Sequence, residues 1–248
     1  NGVIVDSPKC VAESSDLIIT CVKDADAVKD ILFRQDGVIA GKHNDMTIAD
    51  MSTINPIDAK EISKKIHGQG IKSLEIPVMG GPNVAIDGKL VLMASGDKEM
   101  YERYMQVFET IATKTFFLGE SGSAHSIKLA MNLQISLLAL SLSEGIMLTK
   151  KAGFDPEKFL EILNSTYFST GMSQKKAYKM IKDEYQPTFT LKNMKKDLDI
   201  ITQAAKDFGA ILPMAERANK IYSEALEAGL GEIDYTGILA HIKKNSGD

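Results

Sequence analysis

Short runs of aliphatic and β-branched residues alternate with helical patterns through the first half of this chain. That alternation narrows its fold more than any other feature. The spacing predicts strands at Val3–Val5, Leu17–Val22, Thr47–Asp50, Lys72–Ile76, Leu90–Ala94 and Thr115–Leu118, and helices near Ala25–Phe33, Ile57–His67 and Lys98–Ile111. Such alternation builds βαβ units on a mainly parallel sheet. A run as continuously apolar as Leu17–Val22 (LIITCV) suits a strand covered on both faces. From Ser123 onward the β signals nearly vanish. Long helical patterns follow, interrupted at Gly153, Pro156, Gly171, Pro187, Pro213 and Gly229–Gly231. The expected boundary lies near Gly119–Ser123, dividing residues 1–120 from an all-helical 121–248 whose first helix runs to about Lys151.

The 248 residues, 44% hydrophobic and 25% charged, are enough for two domains with real cores. With 29 basic against 33 acidic residues and no basic block, no nucleic-acid partner is expected. Cys10 and Cys21 lack metal-ligand spacing and, with no signal sequence, fit a reducing cytoplasm; Cys21, in an apolar run, reads as a packed thiol. His43, His67, His125 and His241 are scattered, so no metal site is expected. The apolar stretch Leu133–Leu148 is broken by Ser136, Ser141, Ser143 and Glu144. It reads as a buried helix rather than a membrane span.

Candidate chemistry gathers at the start of the helical half, where Gly119–Asn132 reads GESGSAHSIKLAMN. Lys128 and Asn132 stand at i and i+4 and therefore share a helix face, with Ser136 continuing the polar line. Ile127, Leu129, Met131, Leu133 and Ile135 surround them with hydrocarbon. Desolvation disfavours a charged amine and so brings a lysine toward proton transfer. On spacing alone an exposed lysine at a helix start is the competing reading, and spacing does not decide between them.

Four motifs in order extend that segment. Gly119, Gly122, Lys128 and Asn132 fill G-x-x-G-x-x-x-x-x-K-x-x-x-N; Asp50–Pro56 matches D-x-S-T-x-x-P; Pro77–Gly81, followed by Asp87 and Gly88, matches P-V-S-G-G; and Lys196–Leu198 reads K-D-L. Together they resemble the β-hydroxyacid dehydrogenase family, across nearly the whole chain. The resemblance implies a Rossmann-type doubly wound α/β sheet, followed by an all-α domain for dimerisation and substrate closure. It also implies NAD or NADP as cofactor and a small 3- or 4-hydroxy acid, or the matching semialdehyde, as substrate. Within the family the resemblance is to the 3-hydroxyisobutyrate dehydrogenase-like members and the glyoxylate/succinic-semialdehyde reductase branch. The long helix from Ser123 implies a homodimer or homotetramer, and no membrane partner is expected.

By resemblance Lys128 is the general acid/base, and Asn132 binds substrate and directs the lysine. Gly80 and Gly81 offer backbone N–H groups to the substrate carboxylate, although a simple tight turn competes with that role. Ser52 approaches the substrate and Thr53 the nicotinamide ribose, and either could also cap the helix starting near Pro56. Val22 and Lys23 lie against the adenosine half, and Lys196 reaches the cofactor from the helical domain, with Asp197 orienting it or capping structure; one more cation in a solvated run with Lys192 and Lys195 is the competing reading for Lys196. Met79 stands where the family carries serine, which points to a pocket with more hydrocarbon. Family domains open on a strand, a G-x-G-x-x-G turn and a helix. That turn occurs nowhere here, so the sheet is expected to be N-terminally incomplete, and the residue that selects NAD or NADP is not legible. The alternative is a catalytically silent relative serving as a structural or interaction protein.

Overall fold

The alternating half of the chain forms a six-stranded sheet whose register sets up the site. A computed structural model describes residues 2–247 as two units, one reaching Ala130 and the other starting at Met131. The first unit runs α1 (Pro8–Glu13), β1 (Leu17–Thr20), α2 (Ala25–Phe33), β2 (Thr47–Asp50), α3 (Pro56–His67), β3 (Lys72–Glu75), β4 (Val78–Met79), α4 (Pro82–Ile86), β5 (Leu90–Gly96), α5 (Lys98–Arg103), α6 (Met105–Ile111) and β6 (Ala112–Phe117). Strands β1, β2 and β3 pair in parallel, β5 runs antiparallel to β3 and β4, and β6 returns parallel to β5. Side chains alternate across the sheet, so Ile48 joins one core with Ile18, Leu32 and Ile62, while its neighbour Ala49 joins another with Leu74, Leu92 and Phe108. This is the Rossmann-type arrangement expected, with a mixed rather than wholly parallel sheet.

Local chemistry explains the helix starts. Asp24 caps α2 through Ala27 N, Asn55 caps α3 through Ile57 N with Pro56 at the first helical position, and Asp97 caps α5 through Met100 N. Asn55, not Ser52 or Thr53, is thus the cap at the Pro56 helix. Two expectations change. Val3–Val5 makes no strand among the described residues: Val3 and Ile4 are 87% and 99% exposed and enter no ladder. The expected helix Lys98–Ile111 breaks at Tyr104, whose φ of −99° and ψ of 11° leave the helical range. The Tyr104 hydroxyl donates to the Asp16 carbonyl at 3.1 Å, anchoring that break.

Helix α7 (Ser123–Lys151) begins in the first unit and continues into the second. The compact units divide inside this helix, while the strands end with β6, just before the glycine turn near residue 120. The first turn of α7 is bonded to the sheet, through Gly122 N to Glu75 and Ala124 N to Ser95 Oγ, which is why those residues belong to the sheet unit. By length and composition alone α7 does match a membrane span. Inside the fold it buries Asn132, Ser136 and Ser143, with the two serines donating back to the carbonyls of Leu133 and Ala139.

The second unit continues with α8 (Pro156–Asn164), α9 (Gly171–Lys175), α10 (Ala177–Ile181), α11 (Leu191–Phe208), α12 (Pro213–Glu227) and α13 (Ile238–Asn245). Leu191, Met194, Leu198, Ile201 and Ala205 form the buried stripe of α11 at helical spacing. Thr190 caps its start, and Gly209 closes its end in the left-handed conformation at φ 68°. Leu142, Ile146, Met147, Leu160, Met180 and Leu239 make this unit's core.

Candidate active site

Strand register places a polar row across the carboxyl end of the sheet. Thr20 pairs with Asp50, Asp50 with Glu75, and Glu75 with Ser95, on β1, β2, β3 and β5, and all four residues are buried. Thr20 Oγ1 donates to Asp50 Oδ1 at 2.7 Å, and Ser95 Oγ donates to Glu75 Oε2 at 2.7 Å. The start of α7 lands on this row. Gly122 N donates to both Glu75 oxygens at 2.7 and 2.9 Å, and Ala124 N to Ser95 Oγ at 3.2 Å. A carboxylate at a helix start meets the positive end of the helix dipole and satisfies backbone donors the helix leaves open. Gly122 has φ 91°, and a Cβ there would lie 2.5 Å from Lys60 Cε, so glycine permits the approach.

His125, one helical turn before Lys128, is fully buried with its Nε2 3.9 Å from Asp50 Oδ2. Asp50 Oδ2 and both ring nitrogens have no hydrogen-bond partner among the described residues. They border a cavity of about 20 Å³ that Ser63, Ser73 and Glu75 also line, room for a single water. Burial, reinforced by the Lys128 charge, lowers the His125 pKa to about 3, so the ring is neutral at pH 7. Burial raises both carboxyls above their usual range; the hydroxyls of Thr20 and Ser52 oppose it at Asp50, and Ser95 and Gly122 N oppose it at Glu75.

Lys128 is half-buried, and its Nζ donates to Met79 Sδ at 3.3 Å. The expected hydrocarbon shell is partial, since Ile127 and Met131 are 46% and 42% exposed. Met79 ends β4, opposite Val91, and the chain then turns through Gly80 at φ 133°. A Cβ on Gly80 would come within 2.7 Å of Leu90 Cδ2 and 2.9 Å of Val84 Cγ1, so this turn requires glycine. Gly81 faces open space at the start of α4.

Asn132, the next turn of α7, is buried in the second unit. Its Nδ2 donates to Asp197 Oδ2 at 2.6 Å, while Lys196 Nζ lies 2.8 Å from Asp197 Oδ1. Asp197 therefore holds two of the expected site residues at once, the orienting role anticipated for it. Ser136 does not extend the polar line outward, because its hydroxyl is buried and donates to the Leu133 carbonyl. Phe189, half-buried, packs edge-on against Tyr235 with centroids 6.2 Å apart.

Ser52 is the clearest departure from expectation. It is 2% exposed, accepts from Val22 N at 3.0 Å and donates to Asp50 Oδ1 at 2.7 Å. Its hydroxyl is consumed in tying the end of β1 to the turn after β2, which leaves no surface for substrate. Thr53, half-buried, and Val22 and Lys23 lie at the same strand ends, with the Lys23 side chain exposed and 3.3 Å from Asp24. Cys21 beside them is exposed rather than packed, yet partial desolvation of its thiol, together with the Asp50 charge, raises its pKa. A raised thiol pKa gives little thiolate at neutral pH.

The chain resembles known proteins over nearly its whole length. Residues 1–119 match the NAD binding domain of 6-phosphogluconate dehydrogenase, and residues 122–242 the NAD-binding region of NADP-dependent 3-hydroxyisobutyrate dehydrogenase. Glyoxylate/succinic semialdehyde reductase 2 of Arabidopsis thaliana, a chloroplastic protein, is 30% identical over 237 residues, covering 96% of this chain and 66% of the relative. The cytokine-like nuclear factor N-PAC of Anopheles gambiae is 29% identical over 235 residues, 95% of this chain and 42% of the relative. In fold, the crystal structure of a 3-hydroxyisobutyrate dehydrogenase from Salmonella typhimurium superposes with a TM-score of 0.86 at 24% identity, over 94% of this chain and 82% of that one.

Proposed function

Because the chain belongs to the β-hydroxyacid dehydrogenase family, we propose that the protein is an NAD(P)-dependent oxidoreductase interconverting a small 3- or 4-hydroxy acid and its semialdehyde or keto form. One observation carries the reading: Lys128 sits half-buried with its amine against Met79, one helical turn from an asparagine held by a buried carboxylate.

The residues present fit a dinucleotide. Val22, Lys23 and Thr53 lie at the carboxyl ends of parallel β1 and β2, where open α/β sheets bind such ligands. The family resemblance assigns Lys196, whose direction Asp197 holds, to the cofactor as well. A nicotinamide bound there supplies the hydride acceptor or donor. The protein's own work is the proton: Lys128 takes it from the carbinol oxygen during oxidation and returns it during reduction. The same resemblance assigns Asn132, fixed by Asp197, to the substrate oxygen, and the exposed backbone at Gly80 and Gly81 to the carboxylate. Ser52 supports the floor of this site without touching substrate.

Lys128→Ala in the full-length protein is expected to lower turnover by about 10²-fold or more, with nicotinamide cofactor binding retained. Unchanged turnover removes Lys128 from the mechanism. A second reading has one specific support, the nuclear factor relatives that match this chain over a similar length. A folded protein that turns over no hydroxy acid or semialdehyde with either cofactor would favour that non-catalytic role. We further propose a homo-oligomer, on the strength of Leu148 and Met214, 74% and 64% exposed beside a groove on the second unit. A monomer by light scattering at micromolar concentration contradicts it.

A further inference from the structure

We propose that Met79 sets substrate selectivity: the site takes 3-hydroxy acids whose carbon next to the carbinol carries hydrogen or an alkyl group, and rejects those carrying a hydroxyl there. This rests on the reading of Lys128 as the proton carrier. The Lys128 amine and the Met79 thioether are in contact at 3.3 Å, so whatever oxygen the amine serves has the thioether beside it. The substrate atoms bonded to the carbinol carbon therefore lie against Met79.

The backbone on either side holds the thioether in place. Met79 is paired with Val91 in the β4–β5 ladder, and the turn after it is fixed by Gly80 packing on Leu90 and Val84. Sulfur is a weak acceptor and donates nothing. A substrate hydroxyl facing it gives up water and gains no donor from the sulfur, a poorly compensated loss for a polar group. A hydrogen or methyl at the same position has no such loss, and the polarizable thioether packs well against it. A serine in this place, as the P-V-S-G-G pattern has it, would offer both a donor and an acceptor and reverse the balance.

An apolar contact of this kind discriminates by roughly 10- to 100-fold against an added hydroxyl. The matched ligands are 3-hydroxypropionate and 3-hydroxy-2-methylpropionate against 2,3-dihydroxypropionate. Dissociation constants by calorimetry and kcat/KM with either nicotinamide cofactor are measured on the full-length protein. The wild type is expected to favour the first two by at least about 10-fold, Met79→Leu to keep that preference, and Met79→Ser to shrink it by a similar factor. A wild type that prefers the dihydroxy acid, or binds none of the three, overturns the proposal whether or not any variant folds. So does a Met79→Ser protein with the wild-type ratio. If the ligands bind with the expected ratio but none is turned over, selectivity stands and the redox reading fails instead.

Discussion

The two units bury carboxylates in opposite ways. In the sheet unit Asp50 and Glu75 are met by hydroxyls and backbone N–H groups, and burial raises both above the ordinary carboxylate range. In the helical unit Asp234 is equally hidden from solvent, yet it is lowered. Burial pushes it up, but the Lys176 ammonium, 2.9 Å from each oxygen, outweighs that with help from Thr188 N and the Thr236 hydroxyl. Lys176 also lies 4.2 Å from the Tyr235 ring centroid, so the pair is packed from a second side. Neutral donors complete the geometry of a buried acid without balancing its charge; a cation does both. The helical unit's acid is an ionised staple, whereas the sheet unit's row tolerates protons beside the helix that carries Lys128.

The largest effect expected from this contrast is the acid sensitivity of the sheet unit. Native His125 is neutral down to a pKa of about 3, against 6.5 for the ordinary group. As pH falls below 6.5 the unfolded chain binds a proton that the native state refuses, so stability is lost progressively toward pH 3. At ~1.4 kcal/mol per pKa unit the full loss is on the order of 5 kcal/mol. Asp50 and Glu75 oppose it, because their raised values mean the native state takes up protons before the unfolded chain does. His125→Leu should flatten the stability profile between pH 7 and pH 5, read by urea denaturation. Parallel profiles for variant and wild type would mean that the ring is not held neutral.

Next in size is Asp234→Asn, which leaves Lys176 beside a neutral amide. Removing one charge from a buried pair costs about 3 kcal/mol. Since Asp234 is lowered, its contribution is complete above the ordinary carboxylate range and lost only as pH falls through its native value. The cost of the substitution should therefore be constant from pH 5 to pH 8. A cost that varies across that interval would place Asp234 in the same class as Asp50 and Glu75.

The sequence alone exposed some of this and hid the rest for physical reasons. Strand Thr47–Asp50, helix Ala25–Phe33 and the buried stripe of α11 were legible because periodicity and caps are local. Lys128 and Asn132 were legible as a pair because helix spacing is local too. Their partners were not: Met79 lies 49 residues from Lys128, and Asp197 lies 65 from Asn132. The row Thr20, Asp50, Glu75 and Ser95 exists only through strand register, which no single segment encodes. For the same reason Ser52 looked available to substrate. Nothing in its own motif reveals that Val22 N arrives from the neighbouring strand to occupy it. The break at Tyr104 likewise depends on a bond to Asp16, 88 residues away.

A smaller effect tests whether the helical unit's second acid, Asp197, serves a ligand. Its partner Lys196 is partly exposed, so the pair itself is worth little to stability. Lys196→Ala is expected to weaken nicotinamide cofactor affinity by roughly 10-fold, the ~1.4 kcal/mol of one charge-assisted contact, with melting temperature nearly unchanged. An unaltered dissociation constant assigns Lys196 to the surface.

The smallest expected effect is the most discriminating. Glu75→Gln keeps an acceptor for Gly122 N, and its amide can donate to Ser95 Oγ, which can still accept from Ala124 N. Only the charge disappears, and burial already disfavours that charge. The cost should stay below about 1 kcal/mol, well under that of Asp234→Asn. Glu75→Ala, by contrast, strands Gly122 N and the Ser95 hydroxyl and should cost about 2–3 kcal/mol. The gap between Gln and Ala isolates the geometric role from the electrostatic one. If Glu75→Gln costs as much as Asp234→Asn, the carboxylate must be ionised and held by the positive end of α7, and the two units would bury acid by the same principle after all.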